Sequence, residues 1–321
     1  MNIIIIDFSQ IAYSTKYIAT IQGTFNKDLW KYILLKTIKK YNTDFDGDEV
    51  ILAMDGRNSW RKKIFSEYKE NRDTKSGEDW KIFFDSYNEF KEEFTNIFPY
   101  KVIQLENTEG DDIVAILSHY LNKPENNIFI LGGDKDYKQL YQHIPNLTIW
   151  DPKNDIQVKN EGVNDFVLEH IIRGDRGDGI PNIFSDDDSI INPTKRQKTI
   201  SGKMYNTIIE MGLTKLIETS TDEVKKNIER NKKCILLDTI HIPKEIQNNI
   251  IESYNKQHSQ PNKPNEIFNY FIERKMETLY GYVSEFLIGN DKKTPYSNNY
   301  TPEEHDFIRE KINEEEIDIF N

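Results

Sequence analysis

Asn2-Ile3-Ile4-Ile5-Ile6-Asp7 is the stretch from which the fold is read: an unbroken β-branched run closed by a carboxylate. A continuous apolar run reads as a strand buried on both faces, which is the habit of parallel sheets. The pattern recurs. Asp55 follows Val50-Ile51-Leu52-Ala53-Met54, and Asp134 and Asp136 follow Ile128-Phe129-Ile130-Leu131 across Gly132-Gly133. Glu109-Gly110-Asp111-Asp112 opens a helix after Val102-Ile103-Gln104-Leu105. Between these runs lie helical patterns, such as Leu29, Ile33, Leu34 and Ile38. Strands at 2–6, 50–54, 101–105, 127–131 and 147–150, with helices at 28–41, 110–121 and 135–142, predict an α/β domain. Its central, mainly parallel sheet is flanked by helices. Ligands of such sheets sit at the C-terminal strand ends. Carboxylates gathered there repel one another unless protonated or joined by a cation. Oxygen donors select hard cations, so Mg²⁺ is expected, with Mn²⁺ able to substitute.

The chain has 321 residues, 37% hydrophobic and 30% charged, with one cysteine, Cys234, and six histidines. That excludes a disulfide framework or a cysteine zinc site. No apolar run approaches the ~20 residues of a membrane span. The N-terminus enters a strand directly, so a soluble, cytoplasmic protein is expected, and a monomer is the expected state. Net charge is −12, which by itself argues against a nucleic-acid partner. Half of it, however, resides in residues 302–318, and the strand-end carboxylates supply most of the rest. Residues 57–72 run the other way, with Arg57, Arg61, Lys62, Lys63, Lys69 and Arg72 against Glu67 and Glu70. A basic patch beside a metal site matters more for phosphate binding than the global sum.

Residues 1–155 form the α/β unit, closed by a turn at Asp151-Pro152-Lys153-Asn154. Residues 78–96 read as a helix with aromatics on several faces. From 156 to 288 the pattern is helical. Val163, Phe166, Val167, His170 and Ile171 share one helix face, which stops at Arg173-Gly174-Asp175-Arg176-Gly177-Asp178-Gly179-Ile180-Pro181. Residues 184–202 read as a mobile loop. Helices follow at 203–211, 222–238, 243–257 and 265–279, then a linker and acidic tail at 289–321.

Phosphodiester hydrolysis needs a nucleophile at neutral pH and stabilisation of charge on two oxygens, which two metal ions ~4 Å apart provide. Asp7, Asp55, Asp111 and Asp134 are candidates for a tighter site. Asp136, Asp175 and Asp178 would make a looser, water-mediated one. Any of these acids taken singly reads equally as a turn residue, an N-cap or a first-turn helix acid. Their joint placement at strand ends is harder to explain that way. A haloacid-dehalogenase-type site would need an acid two residues after Asp7, where Ser9 stands.

Together these motifs resemble the structure-specific 5′ nuclease family of flap endonucleases and bacterial polymerase 5′ nuclease domains. The match rests on Ile6-Asp7-Phe8-Ser9, Asp55-Gly56-Arg57 with Arg61-Lys62-Lys63 and Glu67-Tyr68-Lys69-Glu70-Asn71-Arg72, Glu109-Gly110-Asp111-Asp112, and Gly133-Asp134-Lys135-Asp136-Tyr137-Lys138-Gln139-Leu140. Gly174 to Pro181 is similar to the start of the family's helix–three-turn–helix. Asn231-Lys232-Lys233 through Phe286 is most similar to the T-even phage ribonuclease H branch.

The resemblance implies a PIN-like fold, a helical duplex-binding C-terminal domain, and 5′→3′ exonuclease and flap endonuclease activity with two Mg²⁺ ions. It implies metal-site roles for Asp7, Asp55, Glu109, Asp111, Asp112, Asp134, Asp136, Asp175 and Asp178. Lys69 and Arg72 would hold the scissile phosphate, Tyr68 would stack on a terminal base, and residues 73–96 would form an arch. Backbone N–H groups at Gly174, Gly177 and Gly179 would meet duplex phosphates. The family's K⁺ site is doubtful here, because its second glycine-rich hairpin is missing. Lys195, Arg196, Lys198 and Lys203 are candidates to take over phosphate contacts. The substrates implied are RNA–DNA and DNA duplex ends and 5′ flaps, in phage primer removal. The alternatives are a PIN-like single-strand ribonuclease and a non-catalytic replication-partner binder. The acidic tail ending in Ile317, Ile319 and Phe320 is similar to peptides that dock on sliding clamps or single-strand-binding proteins.

Overall fold

The computed structural model describes residues 1–72, 75–257 and 261–293. Strands β1 (Asn2–Asp7), β4 (Glu49–Met54), β5 (Lys101–Gln104), β6 (Asn127–Leu131), β7 (Leu147–Asp151) and β8 (Ile156–Gln157) form one sheet in the order β5-β4-β1-β6-β7-β8. All neighbours are parallel except β7 and β8. A small hairpin, β2 (Thr20–Ile21) and β3 (Thr24–Phe25), lies apart from it.

The isoleucine run explains the layering. Ile4 and Ile6 face one core with helices α1 (Phe8–Ile18), α2 (Lys27–Asp44) and α3 (Glu78–Ile97). Ile3 and Ile5 face a second core with α4 (Gly110–Tyr120). Side chains alternate along a strand, so a sheet covered on both faces needs apolar residues at every position.

The aromatics of α3 decide its fate. Phe83, Phe90 and Phe94 are fully buried against Trp30, Phe8 and Phe98. Its Glu93 accepts from Lys31 Nζ at 2.9 Å and from the Tyr270 hydroxyl at 2.8 Å. The segment expected to arch over the site from 73 to 96 is therefore mostly a core helix.

The helical half packs partly on itself and partly on the sheet. Helices α5 (Val163–Arg173), α6 (Gly202–Met211), α7 (Leu213–Thr219) and α8 (Asp222–Ile235) surround their own apolar cluster. Helix α9 (Lys244–Lys256), however, buries Ile246 and Ile250 in the α4 core. Helix α10 (Pro264–Glu273) and the 3₁₀ segment Glu277–Phe286 cover the α2–α3 side. Without these returning helices both sheet cores would expose apolar surface to water, at about 25 cal/mol per Å².

The segment expected to be a mobile loop is cross-tied. The Asn182 side chain donates to Lys198 O at 2.8 Å and accepts from Phe184 N at 3.0 Å. Asn227 Nδ2 donates to Ile183 O at 3.0 Å. The tail residues Ile317, Ile319 and Phe320 lie outside the described residues.

Candidate metal centre and nucleic-acid cleft

Three neighbouring parallel strands deliver the first carboxylates. In the order β4-β1-β6, Asp7 ends the central strand, paired with Ala53, while Ile6 pairs with Leu131. Asp55 follows β4 on one side and Asp134 follows β6 on the other. Gly132 allows the close approach, since a Cβ there would meet Asp7 Cβ at 3.2 Å and the Tyr137 ring at 2.8 Å. Helix α4 packs on β1 and β4 and brings Glu109 and Asp111 to the same edge. Asp7, Asp55, Glu109, Asp111 and Asp134 line one cleft of ≈ 500 Å³, together with Arg57, Lys62, Lys69, Arg72 and Lys75.

Several of these acids resist ionisation. Asp7 Oδ2 accepts from the Tyr137 hydroxyl at 2.6 Å and Oδ1 from Gln10 N at 3.1 Å. Burial, then the nearby Asp55, still push its carboxyl up to about 7. Asp55 Oδ1 accepts from Gly110 N at 2.7 Å, and burial raises it. Burial raises Asp111 well above the ordinary range, with Arg61 opposing, and its Oδ1 is buried with no hydrogen-bond partner among the described residues. A buried oxygen left without a donor, among acids that repel when charged, suits a divalent cation. Asp7, Asp55, Asp111 and Asp134 would hold it.

Other predicted ligands are already engaged. Asp112 is fully buried. Its Oδ2 accepts from Trp60 Nε1 at 2.9 Å and Glu109 N at 3.1 Å, and Arg61 Nη2 stands 2.9 Å from Oδ1. Glu109 accepts from Ser59 Oγ at 2.6 Å and Arg61 Nη1 at 2.8 Å, and also pairs with Lys69. Burial opposes its charge, but Arg61 and Lys69 hold its carboxyl down at about 2. In this conformation Asp112 caps the helix and pairs with Arg61, while its Oδ1 has no hydrogen-bond donor among the described residues and its carboxylate still lies close enough to Glu109 and Asp111 to share an ion with them. Arg61, only 1% exposed, is likewise an internal counter-ion and presents no guanidinium to a phosphate.

Tyr68 departs from expectation too. It is 1% exposed, and its hydroxyl donates to Glu109 Oε2 at 3.1 Å and Asp178 Oδ2 at 3.0 Å. Its ring offers no face to a terminal base. Tyr13 lines the same cleft, with Lys75 Nζ 3.3 Å from its ring centre. Lys69 sits at positive φ (58°), its N–H donating to Asp178 O at 2.8 Å, and its ammonium reaches Glu109. Burial opposes its charge, but Glu109 and Asp178 outweigh this and hold the ammonium above its ordinary range.

The glycine turn packs on this basic segment. Asn71 Nδ2 donates to Arg176 O at 2.7 Å, and Arg72 pairs with Asp178. Gly174 and Gly179 take positive φ (71° and 72°), and a Cβ on Gly174 would fall 2.2 Å from Ile180 O. The expected phosphate donors are spent inside the turn. Gly177 N donates to Asp175 Oδ1 at 2.7 Å, Asp178 N to the same atom at 3.2 Å, and Gly179 N to Arg176 O at 3.3 Å. Lys195 is likewise paired, with Asp188 at 2.7 Å and Asp186 at 3.2 Å. Arg196 lines a groove of ≈ 320 Å³ with Arg176, and Lys203 lines a separate, mostly apolar groove. Lys198 donates its N–H to Ser185 Oγ at 2.8 Å, and Lys63 is exposed.

The second predicted group is divided. Asp178 faces Tyr68 and Arg72. Asp136 and Asp175 converge on His170, which the sequence pattern places only on a helix face. His170 Nε2 lies 3.0 Å from Asp175 Oδ2 and 3.3 Å from Asp136 Oδ1. A histidine five residues before an acid carries no recognisable spacing signal.

A mostly parallel sheet with carboxylates at its C-terminal edge and cations in the adjoining wall defines a metal-using nuclease of the resolvase-like type. The chain belongs to the 5′-3′ exonuclease family: the family model for the 5′-3′ exonuclease N-terminal resolvase-like domain matches residues 2–167, and the T4 RNase H C-terminal model matches residues 163–286. It is 26% identical over 303 residues to the ribonuclease H of Enterobacteria phage T4, covering 89% of this chain and 96% of that one. A 5′-3′ exonuclease of Buchnera aphidicola (subsp. Acyrthosiphon pisum) is 29% identical over 196 residues, covering 56% of this chain and 65% of that one. Among solved structures, the T5 D15 protein co-crystallised with metal ions aligns with a TM-score of 0.58 at 16% identity, covering 80% of this chain and 99% of that one. A D155K pseudo-enzyme–product complex of the T5 D15 flap endonuclease with DNA and metal ions aligns at 0.56 and 17% identity, covering 79% and 100%. The family resemblance read from the motifs is borne out, and the protein is an enzyme, a nuclease. Among the described residues no helix is long and apolar enough to cross a membrane.

Proposed function

We propose that this nuclease hydrolyses phosphodiesters at 5′ ends of RNA–DNA and DNA duplexes and at 5′ flaps, removing RNA primers during phage DNA replication. The observation that carries this reading is the convergence of Asp7, Asp55, Asp111 and Asp134 in one cleft whose wall bears Lys69 and Arg72. Two Mg²⁺ ions, replaceable by Mn²⁺, would supply activation of the nucleophile and neutralisation of charge on the leaving oxygen. The protein's own part is positioning. Arg57, Lys62 and Lys75 at the cleft draw in the phosphate backbone, and Tyr13 offers an aromatic face for a terminal base. Lys69 is tied to Glu109 in this conformation, so it must exchange a carboxylate for the scissile phosphate when substrate arrives. Its charge then stabilises the phosphate oxygens in the transition state. The chain acts as a monomer, and its tail is a candidate tether to a sliding clamp or single-strand-binding protein.

The test is cleavage of a 5′-flap duplex and a blunt RNA–DNA hybrid labelled at either end, with Mg²⁺, with EDTA, and with Asp134→Asn. Short 5′-end products that require Mg²⁺ and vanish in the variant are expected. Tight flap binding with no cleavage in any condition would instead indicate a non-catalytic binder.

A further inference from the structure

His170 occupies the last turn of α5, where it is 8% exposed and stacked on Phe166, with centroids 5.4 Å apart and planes at 19°. The stacking fixes the direction of its ring. Nε2 points between two carboxylates, 3.0 Å from Asp175 Oδ2 and 3.3 Å from Asp136 Oδ1, and all three ligand atoms lie within 4.8 Å of one another. Adjacent ligands on an octahedral ion with bonds of about 2.1 Å stand about 3.0 Å apart, so these separations are those of neighbouring ligand atoms. Asp136 Oδ1 is buried and, although within ion-pair range of His170, has no hydrogen-bond donor among the described residues. Lys135, the other cation at Asp175, stands 3.1 Å away on a side chain 60% exposed, and can swing out to make room for an ion.

We propose that His170 Nε2 is a direct ligand of a divalent ion held with Asp136 and Asp175, making this a nitrogen–oxygen site that favours Mn²⁺ over Mg²⁺. An imidazole nitrogen suits the borderline transition metals, whereas Mg²⁺ prefers oxygen donors and keeps its waters. This inference rests on the nuclease reading above, because it assigns the second ion of that centre. The competing account makes His170 only a hydrogen-bond donor to the two acids. A donor needs its proton and a ligand needs its lone pair, so the two accounts separate experimentally.

The experiment is Mn²⁺ titration of the full chain followed by electron spin echo envelope modulation. The wild type should show ¹⁴N modulation from one bound Mn²⁺. Both His170→Gln and His170→Lys should lose it, while thermal melts confirm that each is folded. Lysine keeps a cationic donor but offers no lone pair while protonated. Mn²⁺ affinity at that position should fall at least about tenfold, and Mg²⁺ affinity by no more than about twofold. Bound Mn²⁺ without ¹⁴N modulation, or modulation that survives in both variants, overturns the proposal. The nuclease reading fails separately, if the wild type cleaves no 5′-ended duplex with Mg²⁺ or Mn²⁺. A ¹⁴N signal lost in both variants would stand even then.

Discussion

Glu109 and Asp112 lie within one helical turn of Asp111, yet their surroundings are of opposite kind. The first two are neutralised by the protein itself, through Arg61 and, for Glu109, Lys69 as well. Asp111 has only a long contact with Arg61, whose Nη1 stands 3.9 Å from its Oδ1, and Asp7, Asp55 and Asp134 have no ion-pair partner among the described residues; burial raises Asp7, Asp55 and Asp111 above the carboxylate range. A fixed counter-ion turns an acid into scaffold. An acid left without one is available to an ion from solution. Motif spacing treats all these acids alike, and the difference lies in what packs beside each.

The largest effect that would break this division is catalytic. Asp134→Asn should lower kcat by at least about a thousandfold while the thermal midpoint stays near wild type, because asparagine can keep the N-cap bond that Asp134 Oδ1 accepts from Asp136 N. Retained cleavage would place the reactive acids elsewhere. Arg61→Leu should have the reverse signature. Leaving Glu109 and Asp112 buried without their cation should cost about 3–5 kcal/mol of stability, read from urea unfolding. An unchanged midpoint would show that these acids are not braced as described.

A smaller effect separates the two tyrosines. Tyr13→Ala should weaken binding of a 5′-ended duplex by about 1–3 kcal/mol, the worth of one stacked base. Tyr68→Phe should leave that binding unchanged and cost about 1–3 kcal/mol of stability through its lost bonds to Glu109 and Asp178. Fluorescence anisotropy with a labelled hybrid, beside unfolding curves, distinguishes them, and the opposite pattern would return Tyr68 to the stacking role.

The smallest expected effect is in pH dependence. Asp7 is raised from 3.8 to about 7 in the folded chain, chiefly by burial and then by Asp55. Between those values the folded state holds a proton that the unfolded state has released. Its contribution to stability is present below about pH 4 and is lost as pH rises to about 7. Asp136 shifts the same way through burial and Asp134. Without divalent ions, thermal midpoints should therefore fall relative to Asp7→Asn across that window, and saturating Mg²⁺ should remove the difference. Glu109 and Asp175 shift downward, so their loss of stability falls at lower pH and does not mask the trend. Parallel wild-type and Asp7→Asn curves without metal would mean that Asp7 ionises at no cost.

Much of the sheet is legible in residues 1–150 because a parallel strand covered on both faces must be apolar at every position. Ile3 to Ile6 could belong to little else, and a carboxylate directly after such a run has only the sheet edge to occupy. Helix α1, which begins at Phe8 with Asp7 as its N-cap, escaped the reading, because the same aspartate serves both as strand end and as cap. The basic run at 57–72 was legible as charge but not as placement. Arg61 and Tyr68 face inward because Glu109, Asp112 and Asp178 arrive from other parts of the chain.

The amino-acid order by itself thus determined the parallel sheet, the edge at which its acids gather and the family to which the chain belongs, since each follows from local periodicity and short motifs. Only the tertiary structure decided which acids keep a protein cation and which do not, that α9 and α10 return to cover the sheet, and that His170 meets Asp136 and Asp175. Those outcomes depend on contacts between residues far apart in sequence, and local spacing carries no term for them.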